Sequence, residues 1–515
     1  MSFALLAVFA IPTISAPFVY LVGKKVSPKA AAIFVALIAL VNLILILTTV
    51  PAIFNNNNHR YVEYYDWITI LSANFTLFVD GISASIAIVS LVLIIAAALF
   101  SINYMEGKKN LAAYYTLLCL LSIGLVGVFI TSNLILFYFC WELMLVPAYF
   151  IIGSWGYRDS YKAAFKLFIF THAGAVFVLL GIGALYMVTG ATDMFVVQQA
   201  LLTNGADIAR WILIALTAGF AVKMAIVPVH MWLPDAHSEA PATMSALLSG
   251  VIISAGAYAI LRLSLGVVFP AVSIAYPSFG VNFLHGLAIF GIISAFFGSL
   301  IALVETDIKR LIAYSSIAHM GYILFGLSLF PSNITAGTVI VVASTTAIAG
   351  TVLHIISHAV SKGLFFLSAG SVMHQTEERD IRKMGGLAAK MPFTTVSGIT
   401  AALSIAGAPP FACFISEFLI FVGAFEIINT DSFYLFPTAF MLIATVLSLA
   451  YSLRFTSRVF LGQHKNGEDK EKQERHIFDV PKYMKIGLAI LVIMVVLIGV
   501  YPTFFLNLIQ TVRFG

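Results

Sequence analysis

The chain has 515 residues, of which 61% are apolar and only 10% charged, with a mean hydropathy of +1.01 and a net charge of +5. An ordinary soluble domain carries about 25% charged residues, so this composition cannot coat a water-exposed surface and places the chain in a lipid bilayer. Soluble enzymes, disordered tails and nucleic-acid binders are excluded, because the charge that solvates a surface or holds phosphates is missing.

The first apolar run begins at Phe3 with no basic preamble and no small-residue cleavage site, and reads as a retained first span. A span needs roughly 20 apolar residues. Such runs fall near 3–22, 30–50, 81–102, 111–130, 133–155, 167–189, 208–229, 244–265, 283–304, 311–330, 350–374, 393–428, 433–453 and 486–508. This predicts an all-α polytopic membrane protein of about fourteen transmembrane helices. The asparagine run 55–58 reads as a polar loop. The stretch from Ala336 to His374 is too long for one helix yet has no polar turn, so 336–349 is expected as a short piece at the membrane surface. The run 393–428 should be interrupted at Pro409 and Pro410, since proline removes a backbone bond and clashes one turn back.

Cytoplasmic loops accumulate Lys and Arg. With fourteen spans and the N-terminus outside, most of the 28 basic residues fall on the inner side. Among them are Lys24, Lys108, Lys166, Lys309, Arg310, Arg379, Arg382, Arg454, Lys465, Lys470, Lys472 and Arg475. Arg60, Arg210, Arg262 and Arg513 stay at the outer side. Two lysines, Lys223 and Lys362, fall inside spans. The longest polar segment, 462–482, leaves no room for a nucleotide fold or a flavin site. Cys119, Cys140 and Cys413 show no CxxC spacing, so neither disulfides nor an iron–sulfur or zinc site is indicated. The chain is therefore expected to carry no redox centre, cofactor or metal of its own.

An ionisable group near the bilayer centre costs at least about 2.5–3.5 kcal/mol, so each one calls for a partner and usually a role. Glu142, Lys223, Lys362 and Glu417 stand out. Glu142, in LILFYFCWELMLVPAYF, has no pairing neighbour nearby in sequence, so its partner must come from another helix. Lys223 precedes Pro228, and Glu417 follows Pro409 and Pro410. Broken helices carrying a buried charge mark ion pathways in transporters, because unwound backbone is tolerated only where it faces protein or water.

His354, His358 and Lys362 occupy i, i+4 and i+8 of one helix and stack on one face over about 12 Å. His319, in LIAYSSIAHMGYIL, adds a fourth proton-exchanging group, although an interhelical hydrogen bond alone would also explain it. A purely structural ion pair would likewise account for Glu142 with Lys223. For His172, Asp80 and Glu426, packing or capping serves as well as transport. His230, Asp235 and His237 sit at the inner mouth of the broken helix, as a proton entrance or a solvated loop.

These residues resemble the antiporter-like membrane subunits of respiratory complex I, subunit M in particular. FYFCWELMLVPAYFIIGSWG, FAVKMAIVPVHMWLPDAHSEAP, DIKRLIAYSSIAHMGYILFG and DIRKMGGLAAKMP carry the resemblance, which covers about 111–460. It implies fourteen core helices with two inverted five-helix repeats and broken seventh and twelfth helices. The implied organisation is an N-terminal three-helix region 1–110, antiporter-like halves 111–265 and 283–460, and a cytoplasmic loop with the last helix at 461–515. By that likeness Glu142 is the glutamate of the fifth helix, Lys223 the lysine of the seventh, His319 part of a connecting relay, and Glu417 the exchanging residue of the twelfth.

Two departures from the subunit M pattern matter. Ser254 stands where the eighth helix normally carries a central lysine. HIISHAVSKGLFFLSAG instead places Lys362 in the eleventh helix, as subunits L and N do. The implied function is proton translocation coupled to quinone reduction in partner subunits of an NADH-type dehydrogenase. The partners are L-, N- and K-type membrane neighbours and a peripheral quinone-reducing arm, in a cell or organellar inner membrane. The alternatives are a subunit of a sodium/proton antiporter or of a membrane-bound hydrogenase.

Overall fold

The computed structural model describes residues 3–71, 73–203, 206–330, 334–336, 339–341, 344–462 and 477–512. Lys465, Lys470, Lys472, Arg475 and Arg513 lie outside them, as do parts of 336–349. The described chain is almost entirely helical. Twelve of its helices are long and apolar enough to cross a bilayer. Two further apolar stretches are each divided in two, as Ala206–Met224 with Leu233–Glu239 and Pro392–Ile405 with Ala412–Ile428. This is compatible with fourteen crossings.

The bundle is wound around the helix Thr345–Thr376, in which every residue from Ala347 to Met373 is buried. Ahead of it, the expected surface piece is replaced in part by two short paired strands, Ile334–Ala336 and Val339–Val341. Ser344 caps the long helix by accepting from Ala347 N, and its hydroxyl donates to Glu426 at 2.5 Å, so Glu426 serves a helix end. The helices Pro277–Val304 and Ile308–Ser328 cross with backbones almost touching. A Cβ added at Gly321 would lie 2.5 Å from the Gly291 carbonyl oxygen, an approach only small residues allow.

Arg60–Ile68 and Ala73–Asp80, which lie in none of the predicted spans, pair as antiparallel strands. Glu63 reaches the first helix, whose start has no side-chain cap of its own, and accepts from Leu5 N at 3.0 Å and Leu6 N at 2.9 Å. Orphan amides at a helix start need such an acceptor where water is scarce. Asp80 ends the second strand and caps Gly81–Tyr104 in a reciprocal box with Ser83. It also pairs with buried Arg262 at 2.7 Å. Asp80→Ala is therefore expected to leave a guanidinium buried without its carboxylate, at a cost of about 3–5 kcal/mol. The measurement is the thermal stability of the detergent-solubilised protein, where an unchanged melting temperature contradicts the pairing.

The last predicted span begins earlier than its apolar run suggested. Lys482–Val500 is one helix, and Pro502 separates it from the short helix Thr503–Gln510. Proline fits the start of the second helix but not the interior of a continuous one.

Candidate functional site

The first polar group is built on the broken helix Ala206–Met224. Val222 and Ala221 still accept backbone bonds from Ala225 and Ile226, but Ala225 takes φ +58° and the helix stops there. The freed groups are satisfied by protein. The Val222 carbonyl also accepts from Trp232 Nε1 at 2.9 Å, and Val227 N donates to Ser294 Oγ at 3.0 Å. The unwinding thus begins at Ala225, three residues ahead of Pro228.

Lys223, in the last turn before the break, is only 3% exposed. Its ammonium donates to the Trp141 carbonyl at 2.9 Å and lies 3.8 Å from the centre of the Trp141 ring. Glu142 is the next residue along and acts electrostatically on Lys223. The partner that Glu142 takes directly is His172, at 3.2 Å from the helix Ser160–Thr189. The expected partner from another helix is therefore present, and Lys223 is coupled to the glutamate through Trp141.

The second group lines the face of Thr345–Thr376 on which His354, His358 and Lys362 stack. His354 Nε2 faces His319 Nδ1 at 3.2 Å, and His354 Nδ1 bonds Ser416 at 2.9 Å. His319 Nε2 bonds the Tyr451 hydroxyl at 3.2 Å. Glu417, on the second piece of the other broken helix, brings Oε1 to 3.9 Å from His319 Nδ1. His358 lies beside this pair, with its ring centre 5.8 Å from that of His319 and both nitrogens buried without a hydrogen-bond partner. One further turn along, the Lys362 ammonium donates to Ser315 Oγ and to the Ile312 carbonyl. Glu417, His319, His354, His358 and Lys362 thus form one buried string drawn from three helices.

Gly407, with φ +68°, turns the chain at the second break and packs against the Glu417 carboxylate, where an added Cβ would meet Oε2 at 2.5 Å. Gly407→Ala is expected to cost about 1–2 kcal/mol for the left-handed backbone. It also displaces the carboxylate, so both melting temperature and proton flux should fall. A variant matching the parent in both measurements contradicts this role for the turn.

Asp235 is held between Lys166 at 2.7 Å and Arg310 at 2.8 Å and is partly exposed. His237 differs from the expectation of a mouth residue. It is fully buried, stacked on Phe366 with ring centres 4.7 Å apart, and within electrostatic range of Lys309, Lys362 and His358. The short helix Leu233–Glu239 packs against Ile308–Ser328 and Ser160–Thr189, and its imidazole reaches Phe366 of the central helix. His230 packs edge-on against Phe297 at 4.8 Å, with Nδ1 buried and unpartnered.

The family description "NADH:quinone oxidoreductase/Mrp antiporter, TM" matches residues 131–448, which include Glu142, Lys223, His319, Lys362 and Glu417. The chain belongs to this family. It is 33% identical to the NADH-quinone oxidoreductase subunit M of Rickettsia prowazekii, over 88% of this chain and 85% of the relative. It is also 33% identical to that of Pseudomonas aeruginosa, over 85% of this chain and 81% of the relative. Among solved structures, a chain of an archaeal membrane-bound sulfane sulfur reductase superposes with a TM-score of 0.81 at 28% identity, over 97% of this chain and 76% of that one. A chain of respiratory complex I from Thermus thermophilus superposes with a TM-score of 0.80, over 98% of both chains, and at 21% identity shows the shared fold.

Beyond the residues singled out in the sequence, the site in this family member includes Trp141, Ser315, Ser416 and Tyr451, which hold the ionisable groups in place. Lys309, sorted by sequence among loop cations, is fully buried and donates to the Ala240 carbonyl. Its position in the motif DIKR, in the first turn of an apolar helix, is the signal that distinguishes it from the other loop lysines. Ser254 only bonds back to the Gly250 carbonyl at 2.9 Å on its own helix. That helix is interrupted by wide turns at Leu248–Ile252 and Ile260–Val268, a feature frequent at functional sites.

Proposed function

We propose that this chain carries protons across the membrane as a subunit M-type component of a complex that oxidises NADH and reduces quinone. The observation that carries the reading is the cluster of Glu417, His319, His354, His358 and Lys362, buried together inside a bundle whose composition belongs to lipid. A scaffold would place apolar side chains there at lower cost. The curated relatives bear the name of this enzyme over most of their length.

In this reading Lys362 takes the place of the eighth-helix lysine that Ser254 replaces, and the halves 111–265 and 283–460 are inverted repeats working in turn. Protons enter past Asp235, with His230 and His237 inside the mouth. The N-terminus faces the outer side of a cell or organellar inner membrane. L-, N- and K-type membrane subunits stand beside the chain, and electrons pass only through a peripheral arm, with no redox centre, cofactor or metal required here for pumping. Glu417, where related antiporter subunits usually carry lysine, favours this reading over a gradient-driven sodium/proton exchanger.

Purification of the tagged chain from its native membranes tests the reading. The expected result is co-purification of membrane subunits with a nicotinamide-oxidising module, and acidification of proteoliposomes when NADH is supplied. Recovery of membrane antiporter subunits alone, with exchange driven by a sodium gradient, overturns it.

A further inference from the structure

Three helices bring three lone-pair donors to one point, and the hydroxyls around them fix where the hydrogens lie. Ser416 donates to the Cys413 carbonyl at 2.9 Å, so its oxygen accepts from His354 Nδ1. Ser448 donates to the Ile405 carbonyl at 3.0 Å, and Tyr451 donates to Ser448 at 2.8 Å. The Tyr451 oxygen therefore accepts from His319 Nε2. Each neutral imidazole then carries its single proton on the outward nitrogen.

The inward nitrogens, His319 Nδ1 and His354 Nε2, face each other at 3.2 Å as two acceptors. Glu417 Oε1, buried and without a hydrogen-bond partner, completes the group, and all three atoms lie within 4.8 Å of one another. Three facing lone pairs in a dry interior repel one another unless a shared proton or a metal cation lies among them.

Two imidazoles and one carboxylate form a donor set of zinc, with bonds of about 2.0–2.2 Å and a fourth position open. Two nitrogens in three donors disfavour magnesium and calcium. The outward N–H groups already rest on hydroxyl acceptors, the arrangement that fixes ring orientation around bound metals. The ligands come from three different helices, which is why no spacing in the sequence reveals them.

We propose that His319, His354 and Glu417 form a binding site for a divalent transition-metal ion of the zinc class, and that the bound ion displaces the shared proton and blocks transfer along the string. The blocking effect rests on the proton-path reading above, whereas the binding site does not.

The test uses the whole purified complex, stripped with a chelator and then titrated with zinc chloride, beside complexes carrying His354→Gln or Glu417→Gln. The parent should bind one zinc ion more than either variant, with nitrogen and oxygen neighbours at about 2.0–2.2 Å in zinc-edge X-ray absorption. Saturating zinc should lower its proton pumping at least ten-fold. Equal zinc content in parent and variants overturns the site. Should a variant fail to assemble, anomalous scattering from the parent decides, and no zinc peak between the three side chains overturns the site equally. Zinc bound there with pumping unchanged overturns the block. Full pumping by zinc-free Glu417→Gln removes the proton-path reading and leaves the metal site standing.

Discussion

Lys362→Met is expected to lower NADH-driven proton translocation at least about ten-fold, in the range lost when a proton-exchanging group is removed, while the chain still assembles. The ammonium is fully buried, and its contacts are the Ser315 hydroxyl and the Ile312 carbonyl, neither of which carries a compensating charge. Replacing a buried ion by an apolar side chain of similar length relieves desolvation and is often neutral or stabilising. Loss of folding is thus not the expected route to loss of flux. What methionine removes is the exchangeable proton at the end of the string, which serine and a carbonyl cannot supply. Lys362→Arg separates the two requirements, because guanidinium keeps the charge but does not release a proton, and it should fail as methionine does. Proteoliposome acidification measured beside NADH oxidation checks both variants, and undiminished flux with methionine would falsify the role of Lys362.

The ladder of His354, His358 and Lys362 is legible in the sequence because one helix imposes its own period. The break at Pro409 and Pro410 is legible because two adjacent prolines leave no alternative. Contacts between helices are a different matter. Nothing in the string of letters indicates that Tyr451 and Ser416 hold the two histidines, or that His172 rather than Lys223 takes Glu142 directly, since these residues meet only through packing. The strand pair Arg60–Ile68 and Ala73–Asp80 is hidden in the sequence because short strands alternating Tyr, Val and Phe with polar residues make no long apolar run. Lys309 reads in the sequence as a solvated-loop cation because it sits at a helix start. Its stem reaches inward, however, and delivers the charge to the Ala240 carbonyl, far away in sequence. Side-chain reach of this kind decides burial and is not encoded in position along the chain.

Glu142→Gln and Lys223→Met should each reduce proton flux at least about ten-fold, and the double variant should be no worse than the poorer single. Lys223 is anchored on Trp141, the residue adjoining Glu142, so the ammonium and the carboxylate sense one another without touching. Glu142 has a second claimant in His172, and its side chain is 25% exposed at the face of the helix. A carboxylate shared between an imidazole and an ammonium alternates partners when either gains or loses a proton, which is how a static pair becomes a switch. Residues that act as one unit give non-additive losses, because the first substitution already abolishes what the second would remove. A merely structural pair predicts otherwise. Lys223→Met would then discard a buried charge and leave Glu142 on His172, with stability unchanged or improved and flux intact. Pumping assays on the two singles and the double, with melting temperatures alongside, separate these outcomes: additive losses mean independent sites, and full flux in Lys223→Met means that no proton passes through the Glu142–Lys223 group.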